Sequence, residues 1–136
     1  MLYDDRVIAE LLRATKTIAI VGAKDKKGSP VDMVGRYLIH AGYTVIPVHP
    51  KRQNVWGLKT YTSLAEIPDH IDMINLFRAA TYCPDHAREA LALSSAPRAF
   101  WMQSGIVSAE AEALLNESGI AVIQDRCTKI EHERLL

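Results

Sequence analysis

Residues 17–50, TIAIVGAKDKKGSPVDMVGRYLIHAGYTVIPVHP, decide the fold. Ile18, Ala19, Ile20 and Val21 form a continuous apolar run, and Val45, Ile46 and Val48 repeat it. Runs without polar alternation are expected of parallel strands buried on both faces. Between them Val31, Val34, Leu38 and Ala41 recur at helical spacing and line up one apolar face. Gly22 ends the first run, and Gly42 stands where a helix closes through a left-handed residue. The stretch predicts strand, glycine turn, helix and second strand, and it leads directly into the basic pair Lys51-Arg52.

The same alternation extends in both directions. Ile8, Leu11 and Leu12 share one face of a helix that precedes the first strand. Strands are expected at 17–21, 44–48, 73–77, 99–103 and 121–124, and helices at 32–41, 85–94 and 109–117, the last opened by Ser108 and stopped by Gly119. Ser63 to Glu66 and Thr128 to Glu131 have the capping-box pattern, which predicts a short turn before Pro68 and a terminal helix with Thr128 as its N-cap. Residues 51–61 form the longest irregular stretch and are expected to cross the mouth of the site. Strands alternating with helices specify an α/β fold, a parallel sheet of about five strands with helices on both faces. The expectation is a single domain over residues 1–136.

The turn after the first strand limits the ligand. A dinucleotide fingerprint needs G-x-G-x-x-G there and an acid after the second strand, but the chain has Gly22-Ala23-Lys24-Asp25-Lys26-Lys27-Gly28 and then His49-Pro50-Lys51-Arg52. A Walker A loop also fails, because five residues separate Gly22 from Gly28 and Ser29 stands where lysine is required. Cations after the second strand disfavour NAD and suit a nucleotide with an extra ribose phosphate, a description met by both coenzyme A and NADP. Lys24, Lys26 and Lys27 either neutralise such an anion or are solvated in the loop.

Composition narrows the classes further. Sixteen basic and sixteen acidic side chains cancel, so overall charge suggests neither nucleic acid nor an anionic membrane as partner. No apolar run approaches the roughly 20 residues of a membrane span, and the acidic start MLYDDRVIAELL is unlike a signal peptide, so a cytoplasmic location is expected. Cys83 and Cys127 form no C-x-x-C pair and are read as free thiols. Their offsets from His86 and His132 do not match zinc spacing, so no metal is assigned.

In open parallel sheets the ligand lies beyond the carboxyl ends of the strands. Those ends carry Gly22-Ala23-Lys24, His49-Pro50-Lys51, Phe77-Arg78, Gln103-Ser104-Gly105-Ile106 and Asp125-Arg126-Cys127, and all five are expected to converge on one crevice. With these residues the chain resembles the stand-alone CoA-binding protein family, whose domain is similar to the N-terminal domain of the succinyl-CoA synthetase α subunit. The carrying segments are IAIVGA at 18–23, GYTVIPVHPK at 42–51, LFR at 76–78, WMQSGI at 101–106 and DRCTKIEH at 125–132. The resemblance covers the chain from about Asp4 onward. It implies a Rossmann-like fold holding CoA across the strand ends, with Gly22 and Ala23 by the pyrophosphate and Lys51 near the phosphorylated ribose. The sequence departs from the family pattern at Lys24, where a small polar residue is usual, and at His49, where Asn is usual.

The candidate ligand residues are Gly22, Ala23, Lys24, Val31, His49, Pro50, Lys51, Phe77, Arg78, Gln103, Gly105, Ile106 and Arg126. Phe77 and Arg78 offer a ring for adenine and a guanidinium for phosphate. Trp101 is expected in the core, with Gln103 on the same face. His86 and Glu89 read as a solvated helix pair. Cys127 is the candidate for thiol exchange, because Arg126 and a helix N-terminus favour its thiolate; the alternative is a small buried residue. No catalytic residue is assigned, since none of His40, His49, His70, His86 and His132 resembles the phosphorylated histidine loop of succinyl-CoA synthetase. The leading reading is a non-enzymatic protein that binds CoA or a short acyl-CoA. The competing readings are an NADP-dependent redox enzyme, for which no Tyr-x-x-x-Lys constellation is recognisable, and an interaction protein with a vestigial pocket.

Overall fold

A computed structural model describes residues 2–136. Five parallel strands, β1 (Thr17–Val21), β2 (Thr44–Val48), β3 (Met73–Leu76), β4 (Ala99–Met102) and β5 (Ala121–Ile123), lie in the order β2-β1-β3-β4-β5. Helices α1 (Asp5–Ala14), α2 (Pro30–His40) and α5 (Thr128–Leu135) cover one face, and α3 (Cys83–Ala92) and α4 (Ala109–Leu115) cover the other. This is the Rossmann-like α/β fold expected from the sequence. Side chains alternate across the pleat: Ile18 and Ile20 pack with Ile8, Leu12, Val34 and Leu38, whereas Ala19 and Val21 pack with Ala87, Ala90 and Leu115. Both faces of the central strands are therefore dry, which is why their sequences are apolar without alternation.

Element boundaries differ from expectation by small, explicable amounts. Helix α2 begins at Pro30 rather than at 32, because Ser29 is the N-cap and accepts the Asp32 N–H at 3.3 Å, with proline placed in the first turn. It closes as expected at Gly42, whose φ is 104°: Gly42 N donates to Ile39 O and Tyr43 N to Leu38 O, the paired bonds of a Schellman turn. Strands β3, β4 and β5 each stop one residue short of the expected ends. Edge strand β2 tolerates Pro47 because its outer side pairs with Tyr61 only through a bridge at Val48, with Tyr61 N donating to Pro47 O.

Two expectations are corrected. Thr128 does not cap α5; Cys127 occupies that position, and the Thr128 side chain is buried, donating to Asn75 Oδ1 at 3.0 Å. Glu131 makes no cap either, since it is taken by Arg134 at 2.6 Å and Arg126 at 3.7 Å. Residues 51–61 do not cross a site mouth. Trp56 instead docks on α2, donating Nε1–H to Asp32 at 2.8 Å and laying its ring against Gly35, where a Cβ would collide with the ring. No helix among the described residues is long and apolar enough to cross a membrane.

Asp72 fastens the amino ends of three strands. Its Oδ2 accepts from Lys16 N at 2.9 Å and Thr17 N at 3.0 Å, while its carbonyl accepts from Arg98 N and Ala99 N. Burial pushes its carboxyl up, but the N–H groups of Thr17 and Lys16 and the charges of His70 and Arg98 outweigh this and hold it below the ordinary 3.8. As pH falls the unfolded chain takes up the proton first, so this stabilisation is complete above about pH 4 and is lost as pH falls through the lowered value. Asp72→Ala is expected to destabilise the protein at pH 7 by about 1–3 kcal/mol in urea unfolding, with a smaller difference at pH 3.

Candidate functional site

Strand β1 lies between β2 and β3, so the chain leaves it in opposite directions and opens a crevice at its carboxyl end. A cavity of about 350 Å³ fills this place, lined by Gly22, Lys24, Pro30, Val31, His49, Pro50, Phe77 and Arg78. A larger hollow of about 430 Å³ lies among residues 65–71 and 92–95, but no lysine or arginine lines it.

Seven sequence-predicted residues thus come together in the crevice: Gly22, Lys24, Val31, His49, Pro50, Phe77 and Arg78. Ala23 is fully buried beneath it. Lys51 is exposed beside the His49 turn and does not line the cavity, and Lys26 and Lys27 are exposed in the loop. The expected convergence of five strand ends reduces to three. Strands β4 and β5 lie beyond β3, and their ends form a separate assembly.

That assembly is built on hydrogen bonds. Asn75 Nδ2 donates to Gln103 Oε1 at 3.2 Å and Thr128 N donates to the same oxygen at 3.3 Å, with all three residues buried. Gln103 therefore shares a face with Trp101 as expected, yet its side chain is turned inward. Gly105 N donates to Asp125 Oδ1 at 2.7 Å, and Asp125 N to Ile106 O at 3.1 Å. Arg126 Nη1 donates to the Asp125 carbonyl, and its guanidinium lies 5.2 Å over the Tyr3 ring. Trp101 is core and donates Nε1–H to Arg126 O at 2.8 Å. Cys127 is half-buried against the core, while Cys83 is buried and burial pushes its thiol up.

The crevice is shaped by the turn at Gly22. Gly22 N and Ala23 N both donate to Val48 O, at 2.9 and 3.1 Å, which ties the ends of β1 and β2 together. The turn requires φ of 86° at Gly22, and a Cβ there would meet Arg78 Cγ and Phe77 O at 3.1 Å. The amino end of α2 opens beside it through Pro30 and Val31, presenting the positive end of a helix dipole.

His49 shapes the turn after β2. Its Nδ1 accepts from Lys51 N and Arg52 N, each at 3.0 Å, which is the bond an asparagine side chain makes to the backbone in an Asx-turn. Burial, followed by the charges of Arg52, Arg78, Lys24 and Lys51, holds its imidazole below the ordinary 6.5. The ring is neutral at pH 7 and carries its proton on Nε2.

Nearby carboxylates are committed elsewhere. Asp32, in the first turn of α2, is 4% exposed and is bonded by Trp56 and Arg36. Asp25 pairs with Arg52 at 3.7 Å. Two cations and a helix amino terminus face the cavity, and no carboxylate lines it. This donor set fits a polyanionic nucleotide such as coenzyme A, and the missing side chain at Gly22 lets Phe77 and Arg78 close against the turn.

Sequence reasoning missed the support behind Arg78. Its guanidinium lies 3.8 Å over the Tyr82 ring, and Nη1 is 3.3 Å from His86 Nε2. His86 is therefore no solvated residue, and its side chain is 12% exposed. The three-residue spacing of His86 and Glu89 was visible, but their approach to Arg78 depends on how α3 packs.

Fold and strand order together define a protein of the Rossmann-like α/β class. Residues 16–133 match the model of the CoA binding domain family, and the chain belongs to that family. It is 41% identical over 125 residues to the uncharacterized protein YneT of Bacillus subtilis (strain 168), covering 92% of this chain and 91% of that one. A trans-feruloyl-CoA synthase from an unknown prokaryotic organism is 33% identical over 89 residues, which span 64% of this chain and 12% of that protein. Among solved structures, a hypothetical protein from Pyrococcus horikoshii OT3 superposes with a TM-score of 0.93 at 34% identity, covering 98% of this chain and 92% of that chain. A Thermus thermophilus protein, cell-free ID.343, gives 0.91 at 38% identity, covering 98% of this chain and all of that one, 100%.

Because the folded imidazole of His49 is held low, the unfolded state protonates first as pH falls. Its contribution to stability is present above about pH 6.5 and is lost as pH falls through the lowered value. An NMR titration of the ring carbons is expected to place His49 below 6.5 in the ligand-free protein. A value at or above 6.5 contradicts the burial and the cationic surroundings of the ring.

Proposed function

We propose that this protein binds coenzyme A or a short acyl-CoA at the carboxyl ends of β1, β2 and β3, as a non-enzymatic carrier, sensor or accessory protein. The observation that carries the reading is the crevice itself, where Lys24, Arg78 and the amino end of α2 line one cavity that contains no carboxylate. Family membership supports coenzyme A as the particular nucleotide.

Under this reading the pyrophosphate lies by Gly22 and Ala23, and Phe77 flanks the adenine. Lys51, exposed beside the His49 turn, takes the ribose phosphate. Among the residues after β4 and β5, Arg126 is the candidate for the remainder of the ligand, since Gln103 is buried in its bonds with Asn75 and Thr128, and the Gly105 N–H, Ile106 N–H and Ile106 carbonyl are taken up by Asp125 and Gln103. Cys127, more accessible than Cys83, is the candidate thiol for exchange: its thiolate attacks the disulfide of oxidised CoA, forming a mixed disulfide and releasing one CoA thiolate.

Calorimetric titration with CoA, dephospho-CoA, NADP and NAD tests the reading. CoA is expected to bind most tightly, and equal or stronger binding of NAD or NADP contradicts it. Lys51→Ala is expected to weaken CoA roughly tenfold or more while leaving dephospho-CoA nearly unchanged, because a charge-assisted contact to the ribose phosphate exists only in the former. Bound CoA is also expected to raise the His49 pKa, since its phosphates offset the four cations that now lower it.

A further inference from the structure

Arg78 is held from three sides. Its Cγ lies against the Gly22 turn, its guanidinium stacks 3.8 Å over the Tyr82 ring, and Nη1 stands 3.3 Å from Nε2 of His86. Nδ1 of His86 is in turn 2.6 Å from Glu89 Oε1. A guanidinium has only donors, so Nη1 donates and Nε2 accepts. The proton of the neutral ring then sits on Nδ1 and is donated to the Glu89 carboxylate. Glu89 is itself located by Leu64 N, 3.4 Å from its Oε2.

The order of groups matters. A carboxylate bonded directly to Arg78 would fix the side chain but neutralise it as an anion receptor. Here a neutral imidazole stands between them, so the guanidinium is fixed in direction while its charge remains available to the crevice that it lines. With one face on Tyr82 and Nη1 engaged by His86, its Nε–Nη2 edge is the one left for bidentate contact with phosphate. An arginine ordered before binding loses less freedom when the ligand arrives.

We propose that His86, oriented by Glu89, is a positioning residue that aims Arg78 at the diphosphate of a nucleotide in the crevice. This rests on reading the crevice as the CoA site. The device lies wholly in the segment from Arg78 to Glu89, on the β3 side of the crevice, and is separate from the Lys51 contact on the β2 side.

The test combines CoA titrations of the wild type, His86→Leu, His86→Gln, Arg78→Ala and the His86→Leu/Arg78→Ala double variant with NMR of the Arg78 Nε–H in ligand-free protein. Arg78→Ala is expected to weaken CoA roughly tenfold or more, as for loss of a charge-assisted contact. His86→Leu is expected to weaken it severalfold, and His86→Gln, which keeps an acceptor and a donor, by less. The double variant is expected to bind no more weakly than Arg78→Ala alone, because His86 acts only through the arginine. In the free protein the Arg78 Nε–H is expected to be ordered in the wild type and mobile in His86→Leu. Multiplicative losses in the double variant, equal losses in both His86 variants, or an Arg78 as mobile in the wild type as in His86→Leu each overturn the proposal. If the wild type does not bind CoA, the functional reading fails, and the ligand-free NMR comparison still decides whether His86 positions Arg78.

Discussion

The double hydrogen bond onto Val48 O is the constraint from which the site follows. By taking the N–H groups of both Gly22 and Ala23, one carbonyl of β2 forces β1 to end in a left-handed residue. The chain then turns away from the sheet before α2 begins, and a gap opens between it and the carboxyl end of β3. Glycine is required twice over at this point: its φ is positive, and a side chain would meet the Phe77 carbonyl and Arg78. The strand order converts the local turn into a crevice, because β1 is the strand on whose two sides the crossovers diverge.

Electrostatics at the crevice depends as much on where the carboxylates are held as on where the cations stand. Trp56 and Arg36 occupy Asp32, and Arg52 pairs with Asp25. Glu89 meets Arg78 only through His86. The cations that depress His49 therefore act on the cavity without a lining carboxylate to cancel them. His49 remains neutral, which lets its Nδ1 accept two backbone N–H groups and hold the start of the basic segment in place. Burial and neighbouring charge thus fix a protonation state, and that protonation state fixes the backbone.

The far end of the sheet obeys a different requirement. Asn75, Gln103 and Thr128 are buried, and each must find partners inside the protein. They find one another, which anchors the amino end of α5 to β3 and β4 and turns Gln103 away from solvent. A polar residue after a strand can serve either the interior or a ligand, and the choice depends on what lies across from it.

Much of the architecture was legible in the chain itself. Apolar runs at 18–21 and 45–48, helical spacing between them and Gly42 at the close specify a buried βαβ unit, because each signal arises from local geometry and burial that act within a few residues. The basic turn after β2 was equally visible. Only the tertiary structure decided that three strand ends rather than five line the cavity. It also showed that Cys127 rather than Thr128 stands at the N-cap position of α5, that residues 51–61 dock on α2 through Trp56, and that His86 and Glu89 stand behind Arg78. These depend on strand order and on contacts between residues far apart in sequence. A pattern read along one chain records which side chains are apolar or charged, but not which of them are brought into contact.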